Sequence, residues 1–247
     1  MAKELVHMKN ITKTFGKVQA LSKVSLKVHE SEIVGLVGDN GAGKSTLIKI
    51  LSGALRADSG EIFFKGKHVT IENTRDAIEV GIETIYQDAA LVGQLAIARN
   101  LFLGREPVRK NSVLRRMDMD YMKSESTKLL QHIGLKKINP DTPIVQLSGG
   151  ERQSIAIARA MFFEAELIIL DEPTNNLGVK ESRSVLDFVI QTKERGHSSV
   201  FITHNIHHIY QVADRIVVLR HGDMVGEVRR DETTLDEVIS LITGMQN

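Results

Sequence analysis

Ile33-Val34-Gly35-Leu36-Val37-Gly38-Asp39-Asn40-Gly41-Ala42-Gly43-Lys44-Ser45-Thr46 is the stretch whose reading decides the fold. Its first five residues, Ile33 to Val37, are apolar and read as a buried strand. Gly38 to Ser45 then match G-x-x-x-x-G-K-[ST], and the run Thr46 to Leu55 reads as a helix. Strand, glycine loop and helix in that order make a phosphate-binding loop. The glycines let backbone N–H groups turn inward around an anion, and the helix N-terminus adds a favourable partial charge. Lys44 is expected to reach the β- and γ-phosphates of a nucleotide, and the Ser45 hydroxyl to ligate Mg²⁺. The alternative is an ordinary Gly-rich turn before a helix; the strand and helix on either side weigh against it.

Outward from this stretch, short β-branched runs alternate with helical patterns, which predicts an α/β architecture around a mostly parallel sheet flanked by helices. The further strand candidates are Leu167 to Leu170, Val200 to Thr203 and Arg215 to Leu219. Val6 to Thr12, Val24 to Val28 and Glu61 to Phe64 read instead as an antiparallel β subdomain, with Lys65-Gly66-Lys67 as a turn. Between about Leu91 and Gln146 the pattern is helical and more charged, with Met119 to Leu130 as one amphipathic helix. The expected division is a single domain over 1–247: a core with the antiparallel β subdomain at about 1–90 and 154–247, and an inserted helical subdomain at about 91–153. No internal repeat and only one phosphate-loop motif are present, so a second nucleotide site would involve another chain.

At 247 residues the chain has enough interior for a real core without staples. Lys+Arg 32 against Asp+Glu 31 argues against a dedicated nucleic-acid binder, which usually carries a basic excess. With no cysteine there are no disulfides, thiolate metal sites or catalytic thiol. Apolar runs such as Leu167 to Leu170 fall far short of the roughly 20 residues of a membrane-spanning helix, and Met1 to Leu5 do not read as a secretory signal. A cytoplasmic chain that reaches a membrane only through a partner is the expectation.

Two further stretches carry chemistry. Leu167 to Glu172 is an apolar strand ending in two carboxylates. On a strand neighbouring the phosphate loop, Asp171 would point at the Mg²⁺ and Glu172 would face attacking water as general base or water-orienter. Alone, that pattern is weak, because strands often end in acidic loops. In Leu147-Ser148-Gly149-Gly150-Glu151-Arg152-Gln153, Ser148 and Glu151 form an S-x-x-E capping box before a helix over Arg152 to Met161. A well-capped helix is the plain reading. The two glycines also leave backbone N–H groups and the Ser148 hydroxyl uncovered at a helix N-terminus, a second anion site. Two such surfaces with one lysine suggest a sandwich between copies.

A phosphate loop, then Gln87, Leu-Ser-Gly-Gly-Glu, an Asp-Glu strand and His204 resemble, in order and spacing, the ATP-binding-cassette (ABC) ATPases over nearly the whole chain. The resemblance implies a P-loop NTPase fold, ATP and Mg²⁺ as ligands, and ATP hydrolysis. It implies nucleotide contacts from Phe15, where an aromatic ring stacks on adenine, and from Gly38, Asp39, Asn40, Gly41, Ala42, Gly43, Lys44, Ser45 and Thr46. Gln87 and His204 join Glu172 as catalytic residues. The resemblance also implies Ser45, Gln87 and Asp171 as metal ligands, and Ser148, Gly149, Gly150 and Glu151 as nucleotide contacts in a partner's site, the first three of them at the γ-phosphate. Residues 85–88 and 94–106 resemble ATPases of bacterial monosaccharide importers of the ribose and fructose kind, where this surface receives the permease. The implied partners are a second cassette, most simply an identical one, transmembrane permease subunits and, indirectly, a sugar-binding protein. The implied location is the inner face of the cell membrane.

The chain departs from the family pattern in two places. Phe15 stands where many relatives carry tyrosine, a minor change because stacking needs only the ring face. After Asp171-Glu172-Pro173-Thr174 the family usually continues Ser-Ala-Leu-Asp, a loop crossing the dimer interface; here it reads Asn175-Asn176-Leu177-Gly178. His204 and His208 at i, i+4 with His207 invite a metal reading, against which stands the lack of an acidic third ligand or cysteine nearby. Arg105, Arg109, Lys110, Arg115 and Arg116 read as a solvated loop. Besides an importer ATPase, the readings in play are a non-transport cassette ATPase, and a regulatory module that holds ATP with weak turnover. The first lacks the coiled-coil insertion, zinc cysteines or tandem cassettes it would show. The second is opposed by Glu172 and His204 and supported by the altered loop.

Overall fold

The computed structural model describes residues 3–86, 91–109 and 116–244. A long hairpin of β1 (Glu4–Phe15) and β2 (Val18–His29) turns at Gly16-Lys17. β3 (Ile33–Val37) leads into α1 (Lys44–Leu51), after which β4 (Ser59–Phe64) and β5 (Lys67–Val69) rejoin the hairpin. α2 (Thr74–Glu79), β6 (Ile82–Ile85), α3 (Ile97–Leu101) and α4 (Met119–His132) follow. The second half alternates α5 (Gly149–Phe162), β7 (Leu167–Asp171), α6 (Val179–Glu194), β8 (Ser198–Ile202), α7 (Ile206–Val212) and β9 (Arg215–Arg220). It closes with β10 (Asp223–Arg229) and α8 (Leu235–Thr243).

The strands form two sheets, an antiparallel one ordered β2-β1-β4-β5 and a larger one ordered β10-β9-β3-β8-β7-β6, parallel except for β10 at its edge. This is the expected P-loop architecture. All five residues of β3 are buried, and they alternate between two cores. Val34 and Leu36 face the core shared with α1 and the antiparallel sheet, while Ile33 and Val37 face the core covered by α5, α6 and α7. A parallel sheet covered on both faces needs apolar residues at consecutive positions, so β3 shows no polar alternation.

A third, smaller core gathers Ile97, Leu101 and Phe102 with Met122, Leu130 and Ile155. α5 serves two cores, because Ile155 joins this cluster while Ala156, Ile157 and Ala158 pack under the large sheet. It is one continuous helix across residues 153 and 154.

Candidate nucleotide site

The phosphate-loop segment leaves β3, and α1 opens at Lys44 rather than at Thr46 and stops at Leu51 rather than Leu55. Gly43 caps the helix in the left-handed region at φ 103°. A Cβ there would lie 2.6 Å from the Ala20 carbonyl oxygen, so only glycine lets the β2 end of the antiparallel sheet close on the loop. At Gly38 a Cβ would collide with the Leu219 carbonyl of β9. Lys44 donates to the carbonyl oxygens of Gly38 at 2.6 Å and Asp39 at 3.0 Å. Burial lowers the pKa of its ammonium, with Glu172, Asp39 and Asp171 acting against that shift. Ser45 is exposed on the first turn of α1.

β7 and β8 bring the other groups to the same end of the sheet. Asp171 does not sit on the strand next to β3, as expected from sequence, because β8 lies between β3 and β7. It remains within electrostatic reach of the loop, since both lie at the carboxyl ends of their strands. Burial, then Glu172, raises the Asp171 carboxyl, and Lys49 and Lys44 pull it down. Glu172 holds the left-handed backbone region at φ 51°, which is strained for a residue with a side chain. Its N–H donates to Ile202 at 2.9 Å. Its Oε1 accepts from the His204 backbone N–H and lies 3.1 Å from His204 Nδ1. Its Oε2 is buried and, among the described residues, has no hydrogen-bond partner.

Such an acceptor loses about 1–3 kcal/mol of hydrogen bonding, so a carboxylate in that position suits a proton-bearing ligand such as water. His204, which Glu172 contacts, lines a cavity of about 180 Å³ together with Gly38, Asp39, Asn40 and Thr203. The carboxylate of Asp171 and the hydroxyl of Ser45 are the oxygen donors a hard cation such as Mg²⁺ takes. Gln87, expected to complete that set, lies outside the described residues, as does Asp88.

The stretch 148–151 forms the expected capping box. Ser148 Oγ accepts from the Glu151 N–H at 3.3 Å, and the Glu151 carboxylate accepts from the Ser148 N–H at 2.8 Å. The helix begins at Gly149, three residues before the sequence-based start at Arg152, because the two glycines themselves form its first turn. Gly149 abuts Leu177, where a Cβ would come within 2.5 Å of Leu177 Cδ2. This N-terminus borders a separate cavity of about 290 Å³ with Gly149, Arg152, Pro173 and Asn175 in its lining. Among the described residues, none lines both cavities. The phosphate loop and the helix N-terminus at 148–151 therefore open at different places on one chain.

In the altered loop, Asn175 N–H donates to the Glu172 carbonyl at 3.0 Å, and Asn176 takes the left-handed region at φ 59°, which asparagine tolerates. Phe15 is 49% exposed at the end of β1, with the Lys13 ammonium 5.6 Å from its ring centroid. The basic cluster is not a uniform solvated loop. Arg105 is partly buried, pairs with Glu83 and stacks on Phe163 at 4.4 Å, because β6 and α5 place an acid and an aromatic beneath it. Arg109 pairs with Asp120 at 2.6 Å, and Lys110 and Arg115 lie outside the described residues. His208 is engaged by hydrogen bonding on both ring nitrogens, to Thr174 Oγ1 at 2.9 Å and Asn205 Nδ2 at 3.2 Å. From sequence it carries only the metal reading; its spacing from His204 is the one signal that points to it, and its partners lie in two segments that sequence does not join.

A parallel sheet with a phosphate loop at one carboxyl end, and a carboxylate–histidine pair beside it, defines a P-loop nucleotide hydrolase. Residues 21–175 match the ABC transporter family. The chain is 42% identical over 240 residues to the xylose/arabinose import ATP-binding protein of Sulfolobus acidocaldarius, covering 97% of this chain and 94% of that protein. It is 40% identical over 250 residues to the fructose import ATP-binding protein of Rhizobium meliloti, covering 99% and 96%. Its fold superposes on an ATP-binding cassette of an ABC transporter solved in the ADP conformation with a TM-score of 0.85 and 25% identity, covering 98% and 99%. The chain belongs to the ABC transporter family, as its ATP-binding and ATP-hydrolysing subunit. Among the described residues, no helix is long and apolar enough to cross a membrane.

Proposed function

We propose that two copies of this chain close on two ATP molecules and that the closure drives a permease importing a monosaccharide. The observation that carries the reading is the separation of the two anion-ready surfaces, the Lys44 loop and the 148–151 helix N-terminus, on one chain. A γ-phosphate held by Lys44 of one copy reaches the other copy's Ser148 and helix N–H groups, so ATP completes the interface and ADP does not. Glu172 orients the attacking water and takes its proton, and His204, bonded to Glu172 Oε1, contacts the γ-phosphate. Phe15 stacks on adenine. Ser45, Asp171 and Gln87 hold Mg²⁺, which when bound neutralises charge on the β- and γ-phosphates.

The surface at 85–88 and 94–106, where the chain enters the helical subdomain of about 91–153, receives the permease. The chain then works in the cytoplasm, at the inner face of the membrane, with a sugar-binding protein as a distant partner and without nucleic acid. Two relatives named for pentose and fructose import support a monosaccharide as cargo.

Sedimentation of Glu172→Gln tests the clamp. The isosteric amide is a far poorer base, so turnover falls on the order of 10²- to 10⁴-fold. The variant is expected to dimerise with ATP, to stay monomeric with ADP, and to lose the dimer when Ser148→Arg is added. Equal association in both nucleotides overturns the sandwich.

A further inference from the structure

The ring of His208 bridges the two segments of the site that leave the paired strands β7 and β8, beyond the last paired residues Asp171 and Ile202. Thr174 follows Glu172 by two residues on the loop leaving β7, and Asn205 caps α7 just after His204. His208 Nδ1 lies 2.9 Å from Thr174 Oγ1, and its Nε2 lies 3.2 Å from Asn205 Nδ2.

The hydrogen-bond chemistry selects one form of this ring. Asn205 Oδ1 accepts from the His207 N–H at 3.1 Å in capping the helix, so its other amide atom is the NH₂ donor that faces His208. His208 Nε2 is then an acceptor with a free lone pair, and Nδ1 carries the proton and donates to Thr174. We infer that His208, as the neutral Nδ1–H tautomer, is a positioning residue that locks the Glu172 loop to the His204 segment for ATP hydrolysis. The inference rests on the reading of Glu172 and His204 as the hydrolytic pair.

Protonation would set an Nε2–H against the Asn205 NH₂ group, and flipping that amide would take the cap from α7. Burial holds the His208 pKa below the ordinary histidine range. His207 and His204 on its own segment act in the same sense, and Glu172 across the site acts against. The ring therefore stays neutral at physiological pH, and the lock opens only in acid.

The test is a double-mutant cycle on the full chain with Thr174→Val and His208→Leu, each assayed for ATP affinity, kcat and its pH profile. Each single change is expected to lower kcat about tenfold, the size of one lost neutral hydrogen bond, with ATP affinity unchanged and the double variant no worse than either single. His208→Asn keeps a donor near Nδ1 but cannot titrate, so it recovers part of kcat and removes the contribution of this ring to the acid limb. Wild-type kcat in Thr174→Val, effects that multiply in the double variant, or an acid limb unchanged in His208→Asn overturns the positioning role. Glu172→Gln, run beside them, separates the two failures. If it turns over freely, the hydrolytic pair itself is wrongly assigned. If it is inactive while the His208 variants are normal, only the lock is wrong.

Discussion

Lys44 shows how one side chain can hold a loop ready for an anion. Its ammonium is bound to two carbonyls of its own loop and sits among Asp39, Asp171 and Glu172, so a positive charge is held in place and partly desolvated. Lys44→Ala is expected to weaken ATP binding by roughly 10- to 100-fold, the range of a charge-assisted hydrogen bond, and an ATP titration reads it directly. Lys44 was legible because G-x-x-x-x-G-K-[ST] between a strand and a helix has few other uses. The partners of His208 were not. Residues 174, 205 and 208 meet only because β7 and β8 lie side by side, a pairing no local pattern in either segment announces.

At the scale of elements, the contact between α5 and the loop after β7 is set by glycine. Gly149 leaves room for Leu177, so α5 and the altered loop pack as one surface. Gly149→Ala forces Leu177 aside. Because the added methyl meets only the end of a half-buried side chain and alanine favours the helix, we expect folding stability to change by less than about 1 kcal/mol, measured by denaturant unfolding. Nucleotide-dependent dimerisation should vanish in sedimentation, while ATP affinity of the single chain is kept. The capping box of this helix was readable from Ser148 and Glu151, whereas its start at Gly149 was not, since glycine is a poor helix former and α5 gains its first turn from packing. β6 and β10 escaped the sequence for a related reason. Both lie at the edges of the large sheet, where Glu83, Thr84 and Glu227 interrupt the apolar pattern.

Across the whole molecule, Arg215 ties the two sheets together. From β9 it donates to both oxygens of Glu32 at 2.8 Å, to Glu227 of β10 at 2.9 Å, and to the Lys27 carbonyl of β2 at 2.7 Å. Burial alone would raise the Glu32 carboxyl, but hydrogen bonds from Arg215 and the His29 N–H outweigh it and leave the pKa lowered. A depressed carboxylate stabilises the fold above its unfolded-state pKa, and that contribution is lost as pH falls through the folded-state value. Glu32→Gln is expected to cost about 3 kcal/mol at neutral pH by leaving a buried arginine underpaired. It should also flatten the acid limb of stability against pH, both read from chemical denaturation across a pH series.

The sequence by itself determined the class of fold, the phosphate loop, the acidic strand end and the helix cap, because each is a local pattern whose chemistry is complete within about a dozen residues. Tertiary structure alone decided that β8 separates β3 from β7, that Arg105 is anchored on Glu83 and Phe163, that Arg215 joins two sheets, and that His208 bridges two loops. Each of those joins residues far apart in the chain whose contacts follow from strand order and packing, and strand order is set by the sum of buried surface across the whole molecule rather than by any one segment.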